Sequence, residues 1–216
     1  MTDRIILCAG TRKGLFVFES NRARKKWKMR GPFLKGWNVY HAIVDTRSTP
    51  RIYASCSSMT FAATVMMGDV AGKKFEGPKN PPIPPAMPAK ALEFANKYGL
   101  PTAPRVWHVE PGRPSEKKVL YAGTAPAGLF RSEDSGQNWQ PVNSLNEHPT
   151  RADWNPGAGG MALHTIQMDP HTPGRMYVAI SAAGAFRSDD EGKSWNPINK
   201  AVAKYVGAPK DSMVGT

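Results

Sequence analysis

The chain alternates short apolar runs with breaks rich in Gly, Pro, Asn and Asp, and the runs lack the 3.6-residue period of a helix. Two stretches match closely. The first runs Val119-Leu120-Tyr121-Ala122-Gly123-Thr124, then Ala127-Gly128-Leu129-Phe130-Arg131-Ser132 to Trp139. The second runs Arg175-Met176-Tyr177-Val178-Ala179-Ile180, then Ala183-Gly184-Ala185-Phe186-Arg187-Ser188 to Trp195, 56 residues later. Weaker copies lie upstream. Ile5 to Thr11 with Gly14-Leu15-Phe16-Val17-Phe18 and Trp27 is one, and Arg51 to Ser55 with Ala63-Thr64-Val65-Met66 and Phe75 is another. The closing aromatics fall at 27, 75, 139 and 195.

A further apolar strand precedes three of the units: Val39 to Val44, Val106 to Val109 and Leu163 to Ile166. Each full unit therefore reads as four strands, which is the sequence signature of a β-propeller blade. The pattern predicts an all-β chain of about four four-stranded blades in an incomplete or open ring. Residues 1–216 form a single repeat domain, with blades at 4–30, 38–76, 105–142 and 162–198. The first blade is expected to lack its innermost strand, its first strand-like run matching the second strand of the other units. After Trp195 the strand-like runs are 201–203 and 205–206. An open arc leaves a sheet face uncovered at each end, so self-association through those faces is expected.

Two segments fit S-x-D-x-G-x-x-W: Ser132, Asp134, Gly136 and Trp139, then Ser188, Asp190, Gly192 and Trp195. Ser and Asp can hydrogen-bond turn backbone, Gly supplies a positive φ, and Trp anchors the sheet. In the first unit the places hold Ser20, Arg22, Arg24 and Trp27. In the second they hold Gly68, Val70, Gly72 and Phe75, with Asp69 one place out of register. These residues resemble the Asp-box, or BNR repeat, of sialidases, sortilin-type receptors and bacterial propellers. Gly10 to Phe16, Arg105 to Gly112, Glu147 to Arg151 and Ile180 to Gly184 extend the resemblance to the bacterial WD40/YVTN/BNR-like group, sialidase-like or glycosyl hydrolase-like. The resemblance implies the N-terminal part of a longer propeller, in which the box is a structural device away from any active site.

Composition sharpens this. The chain has 216 residues, 20 Gly, 20 Pro and a net charge of +12. Blade turns and one Pro-rich insertion account for the Gly and Pro. The basic run from Arg22 to Arg30 falls around an outer hairpin turn, so a solvated edge is expected rather than a nucleic-acid site. No apolar run approaches a membrane span and no signal peptide is read, so a soluble cytoplasmic protein without membrane partners is expected. Cys8 and Cys56 cannot build a disulfide framework. No cofactor is expected: the turn from Gly123 to Gly128 lacks the Lys-Ser/Thr of a phosphate loop.

Candidate chemistry gathers at the starts of the inner strands. His41, His108 and His164 occupy the same place in three blades, 12, 13 and 13 residues before Tyr53, Tyr121 and Tyr177. Such a ring of imidazoles reads either as a ligand or metal site or as packing between blades. Two insertions, 77–104 with eight prolines and 143–160, join an outer strand to the next inner strand, on the same face as the histidines. A short helix is expected over 89–98. His148, Asp153 and Trp154 then crown the mouth, with Arg12, Arg47, Arg105 and Arg151 as loop arginines. A glycosidase needs two carboxyl groups, and Glu110 with Asp153 is the pair available. Three functions stay open: ligand binding with carbohydrate as one such ligand, glycoside hydrolysis, and a protein-interaction scaffold.

Overall fold

The computed structural model describes residues 4–58, 62–181 and 183–199; the runs expected at 201–203 and 205–206 lie outside them. The chain folds into four antiparallel meander sheets. Blade 1 holds β1 (Arg4–Thr11), β2 (Gly14–Asn21) and β3 (Lys28–Phe33). Blade 2 holds β4 (Asn38–Asp45), β5 (Arg51–Ser57), β6 (Thr64–Asp69) and β7 (Phe75–Glu76). Blade 3 holds β8 (Arg105–Pro111), β9 (Leu120–Ala125), β10 (Leu129–Ser132) and β11 (Gln140–Pro141). Blade 4 holds β12 (Leu163–Met168), β13 (Met176–Ile180), β14 (Gly184–Ser188) and β15 (Asn196–Pro197). β1 packs on β4, β4 on β8 and β8 on β12, and the sheets do not close into a ring. This is an incomplete β-propeller.

The cores lie between blades. Leu15, Val17, Val39, Ile52 and Ala54 fill the first interface. Tyr53, Val65, Val109, Leu120 and Phe130 fill the second, and Tyr121, Leu129, Ile166, Met176 and Phe186 the third. A blade with a neighbour on each side buries both faces of its strands. That is why Ile52–Cys56 and Leu120–Ala125 are continuously buried and why these strands read as unbroken apolar runs. Where one blade's second strand meets the next inner strand, a small residue lets the backbones close up. A Cβ on Gly10 would stand 2.6 Å from the Val39 carbonyl, and one on Gly123 would stand 2.4 Å from that of Leu163. Ser55 fills the same place in blade 2, donating to the Trp107 carbonyl at 3.4 Å.

The outer hairpins explain the box. Ser132 Oγ donates to Asp134 Oδ1 at 2.8 Å and accepts from the Gly136 N–H at 2.9 Å. Asp134 Oδ1 also accepts from the N–H groups of Gln137 and Asn138. Ser188, Asp190, Gly192 and Ser194 repeat the arrangement. The units that lack the polar residues keep a positive φ in the Gly place, although the full boxes add a second at Ser135 and Glu191. Arg24, Gly72, Gly136 and Gly192 all have positive φ, at 55°, 70°, 88° and 85°. Trp27 Nε1 donates to the Arg24 carbonyl as Trp139 Nε1 does to Gly136.

Arginines staple successive blades. Arg30 donates to the carbonyls of Val70 and Ala71. Arg47 pairs with Asp45 and donates to the carbonyls of Glu116 and Val119. Arg113 donates to those of Asp169 and Arg175. Part of the basic excess is thus spent on backbone carbonyls. The insertions contribute helix α1 (Ala89–Lys97), where a helix is expected, α2 (Asn143–Asn146) and a 3-10 turn (Arg151–Asp153).

Candidate functional site

Each of the three inner strands carries a β-bulge near its start. Pairing jumps from Val39↔Cys56 to His41↔Ser55, from Val106↔Thr124 to His108↔Gly123, and from Leu163↔Ile180 to Thr165↔Ala179. The bulged residues are Tyr40, Trp107 and His164. A bulge re-aims side chains and is common beside functional sites.

This register corrects the expected histidine ring. His41 and His108 occupy one place, but its blade 4 counterpart is Thr165, while His164 matches Tyr40 and Trp107. The equal spacing of 13 arises twice over. Between equivalent paired residues, the chain from Pro111 to Leu120 is one residue longer than that from Val44 to Ile52, and His164 sits one residue early on β12. Among the described residues no three His, Cys, Asp or Glu side chains gather to hold a metal ion, so the metal ring at His41, His108 and His164 is not formed.

What forms is a pair of stacks. Tyr40 and Trp107 lie with ring centroids 5.6 Å apart and planes 16° apart, and His41 and His108 lie 4.2 Å and 20° apart. Burial and then the adjacent His108 push the His41 pKa down to about 4, against an upward pull from Glu110. His41 Nδ1 accepts a long 3.4 Å hydrogen bond from the Val109 N–H, so the neutral ring carries its proton on Nε2. Glu110 Oε2 stands 3.4 Å from His108 Nε2, a buried atom that makes no hydrogen bond. Burial, then the charge of His108, also lowers His164.

Above the aromatic pair opens a cleft of about 730 Å3, bounded by Thr11, Arg12, Asn38, Tyr40, Arg105 and Trp107, with Pro101 and Gly159 of the two insertions at its rim. The Arg105 guanidinium lies 5.8 Å from the Trp107 ring centroid. None of the described residues lining the cleft is Asp or Glu. Its volume suits a small ligand, and its lining combines an apolar platform with a few placed polar groups.

The structure separates the other expected site residues. Arg105 and Arg12 reach the cleft, whereas Arg47 works in a blade staple. Arg151 clamps the insertion instead: its Nη1 donates to the Ala127 carbonyl and its guanidinium lies 5.2 Å over Trp154. Burial lowers the Arg151 pKa. Trp154 does not crown the mouth. It is 1% exposed in the core between blades 3 and 4, held by Phe186 and by a hydrogen bond to Thr150 Oγ1. His148 bonds Thr150 Oγ1 and the Trp195 carbonyl and packs edge-on against Phe186, so it too fastens the insertion down. Asp153 is exposed on the 3-10 turn, and Glu110 lies five residues along β8 from Arg105 with His108 as its partner. No described contact pairs the two carboxyl groups. Sequence reading missed Tyr40 and Trp107 as platform residues; the available signal was an aromatic immediately before each of His41 and His108.

No protein-family model matches the chain. Among curated proteins it is 30% identical over 112 residues to an oligoxyloglucan-reducing end-specific xyloglucanase of Emericella nidulans, covering 51% of this chain and 12% of that protein. It is 32% identical over 105 residues to a probable enzyme of the same name from Neosartorya fischeri, covering 48% and 11%. The chain thus spans about an eighth of these relatives. A GH74 xyloglucanase from Xanthomonas campestris superposes with a TM-score of 0.57 at 17% identity over 92% of this chain and 29% of that one, a likeness of fold.

Proposed function

We propose that the chain is an Asp-box propeller unit that binds a glycan in the cleft over Tyr40 and Trp107, and that its hydrolase likeness reflects shared architecture. The observation carrying this reading is the stacked aromatic pair flanked by Arg12, Asn38 and Arg105. A pyranose ring has an apolar C–H face and a polar rim of hydroxyls. An aromatic platform accepts the first, and guanidinium and amide groups accept the second. Sequence similarity to xyloglucanases names the first glycans to try: xyloglucan and its oligosaccharides.

Binding is favoured over hydrolysis because the cleft lining offers no acid–base pair, while Glu110 lies outside that lining beside His108 and Asp153 faces solvent. The cysteines fit a reducing, cytoplasmic setting: burial pushes the thiol pKa of Cys8 up to about 11 and that of Cys56 to about 12, which keeps both protonated and inert.

The test is titration of xyloglucan oligosaccharides followed by calorimetry and indole fluorescence. Saturable binding that Trp107→Ala weakens by tenfold or more, with Glu110→Gln near wild type, is the expected result. Unchanged affinity in Trp107→Ala would remove the cleft from the reading. Glycan turnover abolished by Glu110→Gln would replace binding with hydrolysis.

A further inference from the structure

The three interfaces between blades share one pattern of residues, and among the described residues the two ends of the arc carry its two halves unpaired. Toward the following blade each interior blade presents a buried Tyr, Tyr53 or Tyr121, and two residues on a small one, Ser55 or Gly123, against which the next inner strand lies. Toward the preceding blade it presents the residue just before that Tyr. Ile52, Leu120 and Met176 are each 0% exposed there. Phe130 and Phe186, on the neighbouring strand, are buried beside them.

Blade 1 shows this second half to solvent. Leu7 lies three residues before Gly10, as Ile52, Leu120 and Met176 lie before Ser55, Gly123 and Ala179, yet Leu7 is 53% exposed. Phe18 and Met29 stand in register beside Leu7, and Phe16 stands beside Ala9 on the same face. Blade 4 shows the first half. Tyr177 and Ala179 occupy the places of Tyr53 and Ser55 and of Tyr121 and Gly123, and both are partly exposed. The faces are unlike one another, so neither is built to pair with itself.

We propose that the open face of blade 4 in one copy of this chain docks on the open face of blade 1 in a second copy, continuing the interface already formed three times within the chain. Leu7, Phe16 and Met29 on one copy meet Tyr177 and Ala179 on the other. Such a contact is heterologous, joining head to tail, and it covers an apolar sheet face that a lone arc leaves in water. The large positive charge of each chain opposes the contact, so added salt strengthens it.

Size-exclusion chromatography with light scattering at micromolar concentration tests this on the full chain. Wild type should run at twice the 23.6 kDa chain mass or more. Leu7→Glu and Ala179→Arg should each run as monomers with unchanged circular dichroism, since both positions reach solvent; Met29→Glu serves in place of Leu7→Glu if that variant folds poorly. An equimolar mixture of Leu7→Glu and Ala179→Arg should recover a two-chain species, because one retains a sound blade 4 face and the other a sound blade 1 face. A monomeric wild type would overturn the proposal, as would association persisting in either variant alone or a mixture that stays monomeric.

Discussion

His41 and His108, from adjacent blades, stack with ring centroids 4.2 Å apart and planes 20° apart. Two imidazoles at that distance in a half-buried seam cannot both take a proton without repulsion, and the site meets this by keeping His41 neutral. The stack is therefore a blade-to-blade contact with a pH limit.

Acid should weaken the fold through this pair. The His41 pKa is held down at about 4, whereas in the unfolded chain it lies near 6.5. The unfolded state binds the proton first, so the stack's contribution is complete above about pH 6.5 and declines as the pH falls toward 4. Asp134 and Asp190, whose pKa values are lowered, Asp190 to about 2, stay charged through this window. With its remaining solvent access, the loss is on the order of 1–2 kcal/mol. Urea unfolding at pH 7 and pH 4.5 should show it, and His41→Asn should flatten the difference. Parallel losses in wild type and variant would place the acid sensitivity elsewhere.

The box turns should matter less than the blade cores. Asp134 accepts hydrogen bonds from the backbone N–H groups of Gln137 and Asn138, from Ser132 Oγ and from Asn138 Nδ2. Blade 1 closes its outer turn with Arg22 in the Asp place, Arg24 at φ 55° and an Arg24 N–H to Asn21 carbonyl bond in place of the carboxylate. Asp134→Ala should thus cost on the order of 1 kcal/mol, lowering Tm by about 2–4 °C for a chain of this size. Leu120→Ala, at a fully buried site, should cost about 2–5 kcal/mol. Differential scanning calorimetry on both variants decides whether the ranking holds.

The blades were legible because each closes on an aromatic after an outer turn, with a Gly in the positive-φ place in three of the four. The placement of His164 was not. A longer turn after His108 mimics the spacing produced by a one-residue shift on β12, and only the pairing Thr165↔Ala179 separates the two. Trp154 looked like a loop aromatic because its partners, Phe186 and Thr150, come from a distant strand and from the turn before it. Arg47 and Arg105 are alike as loop residues in sequence. Proximity to backbone carbonyls in one case and to Trp107 in the other gives them different tasks.

Gly123 sets how closely blades 3 and 4 approach. A methyl group there would stand 2.4 Å from the Leu163 carbonyl and 2.6 Å from its Cδ2, so Gly123→Ala must push β12 outward. The expected cost is about 1–3 kcal/mol, with indole emission shifting as Trp154 and Trp195 in the same core gain water. Ala179, at the matching place on the uncovered face, gives the control: Ala179→Gly should leave the core emission unchanged. An unshifted Gly123→Ala spectrum would mean the seam has slack that its contacts do not show.

The strongest single polar variant should be at Arg47. Its side chain is 10% exposed, and its guanidinium pairs with Asp45 at 2.8 Å and donates to the carbonyls of Glu116 and Val119 across the seam. Arg47→Ala leaves the Asp45 carboxylate buried without its counter-ion and strips the cross-seam donor from the Glu116 and Val119 carbonyls, each of which keeps one backbone N–H. Removing one partner of such a pair costs about 3–5 kcal/mol. Lysine restores the charge but not the planar fork that reaches Asp45 and the carbonyls together, so Arg47→Lys should recover only part of the loss. The pairing of Asp45 with Arg47 lowers the carboxyl's pKa in the fold, so this contribution is present above the ordinary Asp range near pH 3.9 and is lost as the pH falls below it. Double-mutant unfolding with Asp45→Asn measures the coupling: Arg47→Ala should cost markedly less on the Asp45→Asn background than on wild type. Equal costs on both would leave the carbonyl bonds, not the ion pair, as what joins blades 2 and 3.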